Sequence, residues 1–243
     1  MSKKEKLKLP KVTVVAMTSV NIYETVKAMK YSMRDIEFGD AVLITDKKPW
    51  YLPKSIRYSH TSKLDSIDAF NYKMVYELKD HIKTEYCLVV HADGFVIHPE
   101  LWRDDFLDYD YIGSPWPLPT NDYAYRDSNG EISRVGNSVS IRSMKLLKYP
   151  SEHNLKWEKV YDDVYNEDVF LCCTHKNEME RDGLKWAPIE VAVHFAREHA
   201  LPENKGIEPF AFHKWRGENA GYPRFMSPAK RLKAVLRSLR FWR

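Results

Sequence analysis

Cysteine is scarce in this chain of 243 residues, which contains only Cys87, Cys172 and Cys173. An odd number of cysteines without any Cys-X-X-Cys spacing excludes a disulfide scaffold and gives no support to a cysteine-based zinc site. Cys172 and Cys173 are adjacent, which is a poor geometry for pairing with each other, and Cys87 lies in an apolar run. We therefore expect three reduced and buried thiols, as is usual in a reducing compartment.

Long apolar runs are also lacking. No segment approaches the roughly 20 apolar residues that a membrane-spanning helix needs. The lysine-rich residues 1–11 lack the apolar stretch of a signal peptide. These absences predict a cytoplasmic protein. Hydrophobic residues make up 44% of the chain and aromatic residues 13%, so a substantial core can form without disulfides.

The charge of the chain is unevenly distributed. Residues 1–11 carry +4 and residues 230–243 carry +6, whereas the whole chain carries only +4, so the body between them carries −6. A nucleic-acid-binding protein would instead line a groove of its folded domain with basic residues. We therefore expect no nucleic-acid partner, and the acidic body fits better with an internal metal site.

Short apolar runs alternate with helical patterns in the first half of the chain. β-Branched apolar runs predict buried strands, and apolar residues at helical spacing predict helices, in the order strand 12–19, helix 21–33, strand 41–45, helix 66–82 and strand 86–90. This order predicts an α/β fold with a mostly parallel sheet and helices on both faces. Ligands of such sheets bind outside the carboxyl ends of the strands. We divide the chain into a basic segment at 1–11, one α/β domain at 12–226 and a tail at 227–243.

Asp93 comes just after the third predicted strand and is followed by Gly94. A carboxylate at the end of a strand is well placed to hold Mg²⁺ or Mn²⁺, hard cations that bind carboxylate and phosphate oxygens. An ordinary Asp-Gly turn after a strand explains the same two residues equally well.

Two positions in the second half could also supply chemistry. Glu167 and Asp168 open a predicted helix, so one could face a cleft as a general base while the other caps the helix. Ordinary acidity at a helix start is the competing explanation. His213 could bind Mn²⁺, although a histidine among aromatic residues is more often packed and hydrogen-bonded in the core.

Six short stretches occur in an order that resembles a known family. They are HADGFVIHPELW, DYIGSPWP, VGNSVSIRS, NEDVFLC, APIEVA and PFAFH, which lie between residues 91 and 213 of the predicted body. Together they resemble the GT-A class of nucleotide-sugar glycosyltransferases and, more closely, the bacterial DUF5672 family. A GT-A-like fold and a nucleotide-sugar donor are what this resemblance implies.

The resemblance implies a role for each matching residue. Asp93 matches the last aspartate of the Asp-X-Asp motif, which binds the metal that bridges the donor diphosphate, and His213 matches a late histidine that completes the metal shell. Asp168, beside Glu167, matches the general base of inverting members. The positions implied for donor binding are Thr18, Asp46, His91, Asp93, Gly136 and Asn137.

One residue departs from the motif. His91 stands where the first aspartate of Asp-X-Asp is expected. The metal dependence of the site could therefore be looser than in the class, or His91 could itself donate to the ribose or a phosphate.

Two further features concern the acceptor and its location. Trp116, in a Pro-Trp-Pro loop, could stack on a sugar ring, and filling the core is the equally weighted alternative. The tail predicts a basic amphipathic helix, typical of an anchor on an anionic membrane surface, whose apolar stripe comprises Leu232, Val235, Leu236 and Leu239. Packing of this helix on the domain or on a second subunit is the other interpretation.

The resulting hypothesis is a metal-dependent glycosyltransferase with a UDP-linked donor and a glycan or lipid-linked glycan acceptor, acting with inversion in surface polysaccharide synthesis. It would work in the cytoplasm or on the cytoplasmic face of the membrane. A catalytically degenerate GT-A fold acting as a carbohydrate-binding module is one alternative. A metal-dependent phosphohydrolase, which needs ligands for two metals about 4 Å apart, is the other.

Overall fold

The structure is a computed structural model that describes residues 5–158 and 166–232, apart from the side chains at 137 and 138. In this part of the chain the strands are β1 (Leu7–Met17), β2 (Ile36–Thr45), β3 (Arg57–His60), β4 (Tyr86–Val89), β5 (Gly94–Val96), β6 (Tyr111–Pro115), β7 (Val135–Ser143), β8 (Ala196–Arg197) and β9 (Ala211–His213). The α-helices are α1 (Ile22–Ser32), α2 (Ile67–Tyr76), α3 (Met144–Glu152), α4 (Glu167–Val169), α5 (Lys176–Arg181) and α6 (Ile189–Phe195).

The larger sheet has six strands in the order β3-β2-β1-β4-β7-β6. β3, β2, β1 and β4 are parallel to one another, and β7 is antiparallel to both β4 and β6. The predicted α/β class with a mostly parallel sheet is therefore confirmed.

The central strands are buried on both faces, which explains their continuous apolar sequences. In β1, Val14 and Ala16 pack in the cluster that contains Met29 of α1. Val15 and Met17, on the opposite face, pack in the cluster that contains Met74 of α2. Helices thus cover both faces of the sheet.

A smaller sheet of three strands, in the order β5-β9-β8, forms beyond the carboxyl end of β4. β5 is antiparallel to β9, with Gly94 opposite His213, and β8 is parallel to β9. The ring of Phe95 packs edge-on against that of Phe212, with 4.9 Å between their centroids. This small sheet brings three segments that are distant in sequence to one edge of the domain.

Several element boundaries differ from those the sequence predicts. β1 begins at Leu7 rather than at residue 12, because Leu7 and Leu9 pair with the first residues of β2. Part of the basic segment 1–11 therefore belongs to the domain. α2 ends at Tyr76, and a 3₁₀ turn at Leu78–His81 takes the place of its predicted last turn.

The cysteines and the helix lengths can be compared with the expectations of buried thiols and of no membrane-spanning helix. All three cysteines are buried and unpaired. Within the described ranges, no helix combines the length and apolar character needed to cross a bilayer. Most of the predicted amphipathic helix, residues 233–243, lies outside the described residues.

Gly39 provides a test of the packing between β1 and β2. A Cβ atom at this position would lie 2.0 Å from the carbonyl oxygen of Pro10, in the irregular stretch where the register of β1 shifts. Because the backbone itself is the obstacle, we expect Gly39→Ala to cost about 1–3 kcal/mol of folding free energy. The matched control is Gly221→Ala, since no heavy atom lies within 4 Å of that position. Thermal melts of the two variants should differ clearly, and equal melting temperatures would contradict this packing.

Candidate active site

A cavity of about 400 Å³ opens where β1 and β4 end. Its lining includes Thr18 after β1, Asn21 at the start of α1, Phe70 of α2, and His91 and Asp93 after β4. Three of the predicted site residues, Thr18, His91 and Asp93, therefore share one cavity. Parallel strands explain this, because their carboxyl ends meet at one edge of the sheet.

Asp46 lies one strand further along the same edge, after β2. Hydrogen bonding to Ser19 and the nearby Thr45 hydroxyl hold the pKa of the Asp46 carboxyl below its usual range, in spite of a small opposing effect of burial. Ser19 lines the cavity. Asp46 thus reaches the cavity through Ser19 and supports its wall.

The turn His91-Ala92-Asp93-Gly94 is tight because its ends are hydrogen-bonded to each other. The backbone N–H of His91 donates to the carbonyl oxygen of Gly94 at 2.7 Å. A Cβ atom at Gly94 would lie 2.7 Å from the ring of His213 and 2.5 Å from Val139. Glycine at this position is what allows His213 to approach the turn.

The His213 ring is held by a buried carboxylate that the sequence interpretation missed. Glu198 is only 4% exposed. Its carboxylate lies 2.8 Å from Nδ1 of His213 and accepts a hydrogen bond from Nζ of Lys214 at 2.7 Å. Burial alone would raise the pKa of Glu198, but these two partners lower it to about 2. Glu198 is therefore ionised near neutral pH, and Nδ1 of His213 carries the proton of their hydrogen bond.

The other nitrogen of His213 faces Asp93. Its Nε2 lies 3.8 Å from Oδ1 of Asp93. Two ligands about 2.1 Å from an octahedral Mg²⁺ ion are about 3.0 Å apart when adjacent and about 4.2 Å apart when opposite, so two atoms 3.8 Å apart can both contact one cation after a small adjustment. A histidine whose second nitrogen donates to a carboxylate is also the usual arrangement of a metal ligand. The pair therefore fits a divalent cation.

The number of protein ligands is small. Within residues 5–158 and 166–232, no group of three or more histidine, cysteine or carboxylate side chains is arranged to hold a metal ion. Asp93 and His213 would have to share such a cation with oxygen atoms of a ligand. A two-metal centre, as the phosphohydrolase alternative requires, finds no ligand set in these residues.

Glu167 and Asp168 form a second, buried cluster on α4. The helix is capped by Asn166, whose side chain accepts from the backbone N–H groups of Asp168 and Val169. The prediction that one of the two acidic residues caps the helix is therefore wrong. Both instead approach Arg142 of β7, whose Nη2 lies 3.3 Å from Glu167 and 3.7 Å from Asp168.

Arg142 is fully buried and is the only cation in contact with the carboxylate pair within the described residues. Burial and the neighbouring charge of Glu167 raise the pKa of Asp168 well above its usual range, while Arg142 opposes them. The Tyr111 hydroxyl also donates to Oδ1 of Asp168 at 3.4 Å. Asp168 consequently has an unusually high proton affinity for an aspartate. The sequence contains one indication of the role of Arg142, since a charged residue within an alternating strand is unusual and suggests a buried partner of opposite charge.

The cluster of Asp93, His213 and Glu198 and the cluster of Glu167, Asp168 and Arg142 influence each other electrostatically. The charge of Glu198 adds to the raised pKa of Asp168. Tyr125 is affected by both clusters: burial and the charges of Glu198 and Asp168 raise its pKa, while Lys214 opposes them. The Asp93–His213 pair and Asp168 therefore border one region of the protein.

Trp116 does not present a free ring face to this region. It is 6% exposed and stacks on Tyr125 with 4.6 Å between centroids and 20° between planes. On Gly136, a Cβ atom would lie 2.1 Å from the Trp116 ring. Trp116 thus fixes the position of Tyr125, and Gly136 is required for that packing. The side chain of Asn137 lies outside what the structure describes.

A comparison with known families settles the membership of the chain. Residues 54–213, about two thirds of the sequence, match the family described as "Protein of unknown function (DUF5672)". The chain belongs to this family. The family resemblance seen in the sequence is thereby confirmed.

Several solved structures resemble this DUF5672 protein at low sequence identity. The apo form of the glycosyltransferase GlyE of Streptococcus pneumoniae TIGR4 has a TM-score of 0.46 and 14% identity, over 86% of this chain and 56% of that one. S. aureus TarS 1-349 in complex with UDP-GlcNAc has a TM-score of 0.39 and 15% identity, over 63% of this chain and 51% of that one. The DUF5672 chain spans just over half the length of either structure. No curated protein matches its sequence.

The raised pKa of Asp168 has a consequence for stability. A carboxyl whose pKa is raised in the folded state favours folding most below its ordinary pKa of 3.8, and this contribution is lost as the pH rises. Asp168→Asn removes the cost of burying a charge, so we expect this variant to melt above the native protein at pH 7. The difference should shrink as the pH falls toward 4.

Glu24→Gln is a matched control of opposite sign. Burial opposes the shift, but Lys230 and backbone hydrogen bonds lower the pKa of Glu24. Its stabilising contribution is present above the ordinary pKa of 4.5 and is lost at lower pH. Glu24→Gln should therefore melt below the native protein at pH 7. A lower melting temperature for Asp168→Asn at pH 7 would contradict the assignment of a disfavoured charge at this position.

Proposed function

We propose that this DUF5672 protein is a glycosyltransferase that transfers a sugar from a nucleotide-sugar, with UDP as the expected nucleotide, to a hydroxyl group of a glycan or glycolipid. The observation that carries the proposal is the facing pair of Asp93 and His213 beside an open cavity at the ends of β1 and β4. A cavity of about 400 Å³ has the size of a small-ligand site. The ends of parallel strands are also where α/β proteins bind nucleotides.

In this proposal the nucleotide of the donor lies in the cavity, against Thr18 and His91. Asp46 supports the wall of this cavity through Ser19. The diphosphate extends toward Asp93 and His213. These two residues would hold Mg²⁺ or Mn²⁺, which supplies positive charge next to the diphosphate when bound. Lys214 adds a fixed positive charge beside them, because its Nζ is anchored on Glu198.

Asp168 is proposed as the general base that takes the proton of the acceptor hydroxyl. A carboxyl group with a raised pKa accepts a proton more readily than an ordinary aspartate, which is the property that a base near neutral pH needs. Glu167 and Arg142 position it, since Arg142 contacts both carboxylates. Attack by the acceptor on the face opposite the leaving diphosphate would invert the anomeric configuration.

The acceptor is proposed to approach along Tyr125, which is held by Trp116, and past Gly136 and Asn137 of β7. A lipid-linked glycan would place the reaction at the cytoplasmic face of the membrane. The basic tail at 227–243 is proposed to contact the anionic surface there. Surface polysaccharide synthesis is the process that such a reaction would serve.

Binding of nucleotides tests the donor site directly. We expect one diphosphate nucleotide among UDP, GDP and dTDP to raise the melting temperature only when Mn²⁺ is present. A ligand at 100 times its dissociation constant stabilises by about 2.7 kcal/mol, which corresponds to roughly 5–10 °C for a chain of this size. Asp93→Ala should abolish the shift, whereas Asp80→Ala, an exposed aspartate on another surface, should retain it.

Asp168→Asn is the informative second variant in the same experiment. It should keep the nucleotide-dependent shift, because Asp168 is assigned to the acceptor and not to the donor. The absence of any shift in the native protein would contradict the proposed donor class and favour a carbohydrate-binding role instead. Loss of the shift in Asp168→Asn would contradict the division of roles between the two clusters.

A further inference from the structure

Trp50 is the most exposed large hydrophobic side chain in the described part of the protein, at 94% of its full accessible area. It lies in the segment 46–56 between β2 and β3. An exposed indole leaves unused the large apolar area that a tryptophan normally buries. A partner that covers the indole would bury this apolar area, and the residues near Trp50 in the sequence indicate the chemical class of that partner.

Three lysines lie in the same loop as Trp50. Lys47, Lys48 and Lys54 are all exposed. Within the described residues, Lys48 and Lys54 form no ion pair with a carboxylate. They stand out because the body of the chain between residues 12 and 229 is acidic overall. A loop that exposes one indole and three lysines combines an apolar and an anion-binding element.

The first residues of the basic tail lie on the same side of the molecule. Trp50 packs edge-on against Tyr51, and Tyr51 against Tyr23 of α1, each with 5.6 Å between ring centroids. Burial and the charge of the adjacent Glu24 raise the pKa of Tyr51. Glu24 in turn accepts hydrogen bonds from the backbone N–H of Ser227, at 3.1 Å, and lies 2.9 Å from Nζ of Lys230. A short chain of contacts therefore connects the Trp50 loop to the start of the tail.

An exposed valine extends this surface. Val20 is 65% exposed and precedes Asn21, whose side chain accepts from Nζ of Lys230 at 2.7 Å. We name the combined surface the basic-aromatic face; it consists of Val20, Lys47, Lys48, Trp50, Lys54, Lys230 and Arg231. Asn21 also lines the cavity, so the face lies beside the entrance to the proposed donor site.

We propose that the basic-aromatic face binds an anionic phospholipid bilayer, with Trp50 inserted at the boundary between headgroups and acyl chains. Tryptophan favours this boundary because its ring is apolar and its N–H is polar. Lysine and arginine side chains near an anionic surface are attracted to it electrostatically. The loop is a second contact beyond the tail, and two linked contacts bind far more tightly than either alone.

A single substitution in the full chain tests the loop contact. Sedimentation with vesicles of phosphatidylcholine and phosphatidylserine should capture the native protein, and vesicles of phosphatidylcholine alone should not. Trp50→Ala should weaken binding by about tenfold or more, since the indole supplies the apolar part of the contact. Tyr123→Ala is the matched control, because Tyr123 is 56% exposed in a different loop, and it should bind as the native protein does.

Charge variants and fluorescence provide independent checks. Lys48→Glu combined with Lys54→Glu should reduce binding, and raised salt should reduce the binding of the native protein. Brominated acyl chains should quench part of the tryptophan emission of the native protein and less of that of Trp50→Phe. These experiments use no nucleotide, so their outcome is separate from that of the donor-binding test.

Two results would overturn the inference. One is a native protein that ignores phosphatidylserine vesicles at low salt. The other is a Trp50→Ala variant that melts like the native protein and binds the vesicles equally well, which would leave the tail as the membrane contact and Trp50 without a role in it.

Discussion

The buried carboxylate of Glu198 is the interaction on which the rest of the site depends. A charge that is almost completely removed from water costs several kcal/mol unless donors surround it. His213 and Lys214 provide these donors from β9 and the residue after it. The contact fixes the tautomer of His213 and turns its Nε2 toward Asp93. It also ties β8 to β9, and thereby holds in place the small sheet that carries the Asp93 turn on β5.

The two acidic clusters show opposite electrostatic behaviour, and this opposition divides their roles. Hydrogen bonds from His213 and Lys214 overcome burial at Glu198 and lower its pKa to about 2, so this group stays charged and serves as a fixed support. Burial and the neighbouring carboxylate prevail at Asp168 and raise its pKa. Groups that are kept permanently charged suit structural and ligand-orienting roles, whereas groups with shifted proton affinity suit proton transfer. The fold places one of each beside the same region.

The sequence predicts the parts of the site that depend on local patterns. Thr18, His91 and Asp93 follow buried parallel strands, so their meeting at one edge comes directly from the alternation of strands and helices. Asp168 was found as an acidic residue at a helix start. Glu198, Lys214 and Arg142 were missed, since their significance depends on contacts between β7, β8, β9 and α4 that no local period encodes. β8 has only two residues and gives no pattern of its own. Trp116 was ambiguous because a Pro-Trp-Pro loop does not reveal that Gly136 and Tyr125 cover its ring.

The proposed donor site is tested most directly by a crystal structure of the protein with Mn²⁺ and the nucleoside diphosphate that stabilises it, with the metal located by its anomalous scattering. We expect one Mn²⁺ held by Asp93 and His213 next to the diphosphate, and the nucleotide in the cavity beside Thr18 and His91. A nucleotide bound on another surface, or a diphosphate held away from Asp93 and His213, would contradict the assignment of this edge of the sheet as the donor site.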